Sequence, residues 1–179
     1  TYAIFLAGRA WEQIRNSVAR DGLNVKMIAT HSGISPAADG SSHQCFEDIA
    51  LIRAIAGTTL VLPADLSEMR CAVRAAVETT GPFYVRLGRG EIPQIFDDEN
   101  KFQIGKARRL TDGPDVGIVA SGFLVREAIE AEAILRREEV NATVLDMHTV
   151  KPADAEAIAK IARETGAIVT VEDHNVLGG

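Results

Sequence analysis

Short apolar runs alternate with longer amphipathic stretches twice along this chain, and that rhythm narrows the fold to one class. In the first half the runs are 24–29 (NVKMIA), 58–64 (TTLVLPA) and 82–87 (PFYVRL). In the second half they are 116–121, 142–147 and 167–172. Runs of this length bounded by turn residues match strands buried between layers. The stretches between them have helical character: 5–20, 45–56, 66–79, 124–137 and 153–165. In the first, Phe5, Trp11, Ile14 and Val18 recur at mostly helical intervals. Asp21-Gly22 and Gly57 are stop signals, and Asp65 or Ser67 suits the cap of the third helix. Strand–helix–strand alternation predicts parallel sheets with right-handed crossovers.

Residues 91–106 (EIPQIFDDENKFQIGK) interrupt the rhythm. They are polar, broken by Pro93 and acidic in the middle, and they read as a linker. A first domain then spans 1–90 and a second 107–179, alike in architecture but without a short repeat. Both ends read as interior to a longer polypeptide. Thr1 enters at once on an aromatic-rich segment, and the final VLGG stops just after a strand, where a helix is expected.

Bulk properties exclude several classes of partner. Apolar residues make up 46% of the 179, enough for a core. A net charge of −6 argues against nucleic acid or an anionic membrane. No apolar run approaches the roughly 20 residues of a membrane-spanning helix, and no signal peptide is visible. Two cysteines, Cys45 and Cys71, are too few for a disulfide framework. They read as small buried side chains in a cytoplasmic protein. No G-x-G-x-x-G opens a helix after a strand. His31 and His43 lack a third ligand at usable spacing, so no metal site is expected.

The segment 30–44, THSGISPAADGSSHQ, concentrates His31, Asp39 and His43 in a loop of small residues directly after a strand. Ligands bind at such strand ends in parallel α/β sheets. Two imidazoles and a carboxylate there can hold a phosphate or a hydroxylated substrate and move its protons. Arg89, at the end of YVRLGR, adds a guanidinium whose fork matches a phosphate. Arg86 is a neighbouring candidate that a regular strand would aim the other way. Taken one by one, each has a plainer reading. His31 could be a strand-end histidine, Asp39-Gly40 a turn, and Tyr2 with Phe5 a piece of core. His148 (DMHTVKPAD) and His174 (VEDHN) both follow strands and read as structural or interface histidines.

The loop resembles the pattern T-H-x-S/G-I-x-x-x-x-D-G-x-x-H-Q of transketolases. Thr1-Tyr2-x-x-Phe5 is similar to their T-F-x-x-F segment. YVRLGR is similar to the strand ending in their phosphate-binding arginine, and VEDHNVLGG to a strand end in their carboxy-terminal domain. The resemblance covers essentially the whole chain. It implies an α/β fold, a parallel-sheet pyrimidine-binding domain lacking its amino-terminal part, then a carboxy-terminal-type α/β domain lacking its end. It implies transfer of a two-carbon ketol unit between sugar phosphates with thiamine diphosphate. By the same resemblance, His31 and Arg89 contact substrate phosphate and Asp39 a substrate hydroxyl. His43 lies near the reacting carbonyl, and Tyr2 and Phe5 line the aminopyrimidine slot. Tyr2 stands where the family usually has Phe, and Gly8 where it often has Tyr.

Two parts of the family's machinery are outside these residues: a glutamate upstream of T-F-x-x-F, and the G-D-G…N motif that holds the diphosphate and Mg2+. DGPD at 112–115 is a turn before a strand. A transketolase amino-terminal domain or subunit is therefore the implied partner, in a homodimer or heterotetramer, and the isolated chain is expected to be inactive. Deoxyxylulose-phosphate synthase is a rival, favoured by K-P-x-D at 151–154 and disfavoured by His31, where that family has Arg. A 2-oxoacid dehydrogenase beta subunit and a noncatalytic α/β or regulatory partner are the others.

Overall fold

The computed structural model describes residues 1–97 and 102–179. Lys26–Ala29 (β1), Thr59–Val61 (β2) and Phe83–Arg86 (β3) form the parallel body of a first sheet, in the order β1-β3-β2. Central β3 is buried throughout, as its apolar run predicts. Ala29 lies opposite Arg86, so both strands deliver their following residues to the same edge. The helix Leu66–Glu78 (α3) crosses from β2 to β3 and turns Ala72 and Ala76 inward. Asp65 caps it, accepting the Glu68 N–H at 2.8 Å.

The first helical segment, α1, comprises Ile4–Arg9, Trp11–Gln13 and Ile14–Ala19. Two of its turns are wide: Ala10 N–H donates to Phe5 O and Arg20 N–H to Arg15 O, each five residues back. The segment packs on Asp48–Arg53 (α2), with the Trp11 indole N–H on Leu51 O at 2.7 Å. Helix α2 is shorter than the expected 45–56. Cys45 exchanges both its backbone groups with Gly33, which holds it outside the helix.

The second sheet is built from Arg108–Arg109 (β4), Val116–Ala120 (β5), Ala142–Asp146 (β6) and Ile168–Val171 (β8). Its order is β4-β6-β5-β8, parallel except for β4. Leu124–Arg137 (α4) links β5 to β6, and Ala155–Thr165 (α5) precedes β8. Asp154 caps α5, and Gly166, at φ 72°, ends it in the left-handed conformation.

Besides the antiparallel edge strand β4, two features were not anticipated. Thr149–Lys151 (β7) leaves the second half and pairs antiparallel with β2, completing a four-stranded first sheet. The Lys151 ammonium ends on the carbonyls of Arg53 and Ile55. The expected linker is also anchored. Residues 98–101 of it lie outside the described residues. Before them, Ile95 and Phe96 donate to the second oxygen of Asp65 at 2.8 and 2.7 Å, and Phe96 is buried with Ala64, Ile118 and Val144. After them, Phe102 and Ile104 pack on the core of Val61, Phe83 and Val85.

A buried acidic pair lies where the halves meet. Asp146 at the end of β6 is fully buried, and Glu68 of α3, buried as well, has a carboxyl that interacts with it. Glu68 also accepts the Ala64 N–H at 2.7 Å. If both groups were ionised, neither Asp146 oxygen would have a donor. A proton shared with Glu68 would supply one. Burial first, then the neighbouring Glu68 charge, pushes the Asp146 carboxyl well above the usual range, with Asp65 adding to the shift and Arg108 opposing it. Glu68 is raised by burial as well. A proton retained on folding means that stability falls as pH rises from the ordinary carboxyl range through the raised one, by up to about 1.4 kcal/mol per pH unit. Asp146→Asn carries a permanent N–H donor and does not titrate. Its urea midpoint is expected to lose that decline between pH 5 and 8, and parallel wild-type and variant profiles would refute the shared proton.

Candidate active site at the strand ends

The site begins where β1 and β3 stop. Thr30 continues β1 and bridges to Tyr2, which brings the start of α1 beside the loop. His31 follows at φ 57°, an uncommon backbone for a residue with a Cβ and one that clusters at ligand sites. Its ring stacks on Tyr2 with centroids 3.8 Å apart and planes 9° from parallel. The loop then runs through one turn of tight helix, Ala37–Asp39, flanked by further turns, and returns past His43 to Cys45. Reciprocal Gly33 and Cys45 bonds of 2.9 and 3.1 Å close its neck.

All six residues singled out from the sequence meet in this place. Asp39 accepts from the Tyr2 hydroxyl at 3.2 Å and from Arg89 Nη1 at 3.0 Å. The same Arg89 nitrogen donates to Pro36 O at 3.0 Å, and the Arg89 N–H to Ser35 Oγ at 3.1 Å. Among the described residues these contacts use only one end of the guanidinium fork. The His43 ring sits edge-on to both Tyr2 and Phe5, 5.4 Å from each centroid. Ser42 Oγ engages His43 Nδ1, and Thr30 Oγ1 engages His31 Nδ1, both at 2.9 Å. Within the described residues the other ring nitrogen of each imidazole is not engaged. The cluster is half-exposed: the Arg89 side chain retains 45% of its surface and Asp39 29%. Hollows of about 520 and 190 Å³ adjoin it, the first touching Thr30, Leu87 and Ile92, the second lined by Arg89 and Arg126.

Arg86 is not part of this cluster. It is buried, donating from Nε to Asp48 Oδ2 at 2.8 Å and from Nη2 to Asp48 Oδ1 at 3.1 Å and Asp173 O at 2.8 Å. The sequence held one signal for this, a charge inside an otherwise apolar strand, since a buried charge requires a partner. The partners themselves were not legible. His148 is buried, stacked on Phe102 at 4.3 Å and bonded to Thr149 Oγ1, and burial aided by Arg108 lowers it to about 4. It is a neutral core histidine. His174 Nε2 accepts the Ala50 N–H at 3.3 Å, which leaves Nδ1–H to donate to Asn175 O. Cys45 and Cys71 are both buried and form no disulfide, and burial pushes the Cys45 thiol up to about 11.

The aromatic rings at this site would suit one part of a thiamine diphosphate, its aminopyrimidine. Tyr2 and Phe5 provide flat aromatic surface for a heterocycle, with the Arg9 guanidinium 4.8 Å from the Phe5 centroid. Among the described residues no three His, Cys, Asp or Glu side chains are grouped to hold a metal ion. None of the described helices is long and apolar enough to cross a membrane.

Residues 1–94 match the family model of the transketolase pyrimidine binding domain, and 105–179 that of the transketolase C-terminal domain. The chain belongs to the transketolase family. It is 40% identical to one subunit of an apulose-4-phosphate transketolase from Phocaeicola vulgatus, over 99% of this chain and 57% of that protein. It is 35% identical to human transketolase, over all of this chain and 29% of the human one. A solved split-gene transketolase, described as an inactive beta4 tetramer, superposes with a TM-score of 0.93 at 44% identity, covering 99% of this chain and 57% of that one. The chain thus spans about half the length of the subunit-type relatives it matches. Apart from β7, the two sheets fall in the stretches matched to the pyrimidine-binding and carboxy-terminal domains, in the order expected from the sequence.

Proposed function

We propose that this chain supplies the sugar-phosphate contacts and part of the aminopyrimidine pocket of a thiamine diphosphate-dependent transketolase, which moves a two-carbon ketol unit between sugar phosphates. The observation that carries the reading is the 3.0 Å pair of Arg89 and Asp39 beside the rings of Tyr2, His31 and His43. Arg89 and His31 hold the substrate phosphate, the guanidinium through its free edge. Asp39, oriented by Arg89 and the Tyr2 hydroxyl, accepts a substrate hydroxyl and so selects its stereochemistry. His43 passes a proton at the reacting carbonyl or an adjacent hydroxyl, the work imidazole suits near neutral pH.

Tyr2 and Phe5 take the aminopyrimidine. Thiamine diphosphate, when bound, supplies the nucleophilic carbon and the electron sink for breaking the carbon–carbon bond. The diphosphate and its Mg2+ fall to an amino-terminal domain or subunit, in a cytoplasmic homodimer or heterotetramer. The length shared with subunit-type relatives supports this division, as does the inactivity stated for the split-gene beta4 tetramer. A relative named for apulose 4-phosphate supports a phosphorylated sugar as substrate.

The test is reconstitution. The full-length form of this chain is combined with an amino-terminal transketolase section, thiamine diphosphate and Mg2+. Transfer between a ketose phosphate and an aldose phosphate is then followed. Turnover is expected in the mixture and absent from either component alone. Turnover by this chain alone, or a silent mixture across phosphorylated sugars, overturns the proposal.

A further inference from the structure

The turn after β8 reaches across to the other half and touches the active-site loop at its neck. Asp173 is buried there. Its carboxylate fills the space beside Gly33, where a Cβ would lie 1.5 Å from Oδ2 and 2.1 Å from Cγ. Gly33 sits at φ 55°, so both its conformation and its lack of a side chain are required for this approach. Asp173 Oδ1 accepts the Ile34 N–H at 3.4 Å. The turn is itself fixed to the first half. Arg86 Nη2 donates to Asp173 O, Asn175 donates twice to Phe46 O at 2.9 and 3.1 Å, and Ala50 N–H donates to His174.

Gly33 and Cys45 are the two sides of the neck from which His31, Asp39 and His43 are displayed. Only Ser32 separates His31 from Gly33, so a shift at the neck reaches the stacked Tyr2–His31 pair directly. We infer that Asp173 is a positioning residue: through Gly33 and Ile34 it holds the loop in the shape that lets His31 and Arg89 grip one phosphate. It touches no substrate. The inference rests on the phosphate-binding role proposed above, and it gives the carboxy-terminal half a direct part in that site.

The experiment uses the full-length chain assembled with its amino-terminal section, as wild type, Asp173→Ala and Asp173→Asn. Asparagine keeps an acceptor for Ile34, so it is the conservative control. Backbone hydrogen exchange in 33–45 is expected to quicken about tenfold in Asp173→Ala while α3 and β3 stay protected. KM for a phosphorylated ketose is expected to rise about tenfold, more than that of the same ketose without its phosphate, while kcat falls alike for both because Asp39 and His43 ride on the same loop. Asp173→Asn is expected to restore both. Unchanged exchange in the loop overturns the inference, as does quickening spread evenly over both halves with equal losses for both substrates. Selective loosening of 33–45 in a protein whose wild type transfers no ketol unit leaves the clamp standing and removes the transferase reading instead.

Discussion

Replacing Arg86 with methionine is expected to destabilise the chain by about 3–5 kcal/mol, the range for breaking a buried ion pair by removing one partner. The guanidinium binds both oxygens of Asp48, whose side chain is fully buried, and the carbonyl of Asp173. Methionine fills much of the volume but leaves the Asp48 charge without a counterion in a dry interior. The penalty is the desolvation of that orphan rather than the net worth of the pair. Urea denaturation checks it, as a lower midpoint at unchanged slope. A loss below about 1 kcal/mol, the size of a surface pair, would mean that Asp48 is neutralised some other way. Asp48→Asn in the Arg86→Met background separates the two accounts, because removing the orphan charge is expected to recover part of the loss.

Arg89→Ala, three residues on, is expected to do the reverse. Its pair with Asp39 is half-exposed, so stability changes by about 0–1 kcal/mol. Binding of a phosphorylated substrate by the assembled enzyme is expected to weaken about 10- to 100-fold, the worth of a charge-assisted hydrogen bond of about 1.5–3 kcal/mol. Substrates without phosphate are expected to be nearly unaffected. Isothermal titration with a sugar phosphate and with its unphosphorylated parent measures the difference. Equal loss for both ligands would show that Arg89 acts by shaping Asp39 alone. Opposite phenotypes from two arginines so near in sequence follow from geometry. Strand β3 ends at Arg86 with that side chain turned inward, and Arg89, at the opposite parity three residues on, turns toward the loop.

What could be read from the sequence divides along the same line. The cluster of Tyr2, Phe5, His31, Asp39, His43 and Arg89 was legible because its parts are dense: all but Arg89 lie in two short motifs, and a strand end brings Arg89 in. The alternation of runs and helices was enough for the parallel body of both sheets, since that signal is local, but not for the antiparallel β4 and β7. The partners of Arg86 were not legible, because Asp48 lies 38 positions away and Asp173 lies 87 positions away along the chain. Cys45 carries an ordinary helical pattern, and only its pairing with Gly33 removes it from α2. Residues 91–97 read as a polar connector, yet Asp65 supplies the acceptor that ties Ile95 and Phe96 down. β7 was hidden by its length of three residues and by its destination in the other half's sheet.

That borrowed strand has an evolutionary and practical meaning. A gene divided between the two halves would strip β2 of its outer neighbour and bare Leu60 and Val61 along an unpaired edge, the kind of surface that recruits foreign strands. A first half made without the second therefore carries an unpaired border, and only the two together close the seam.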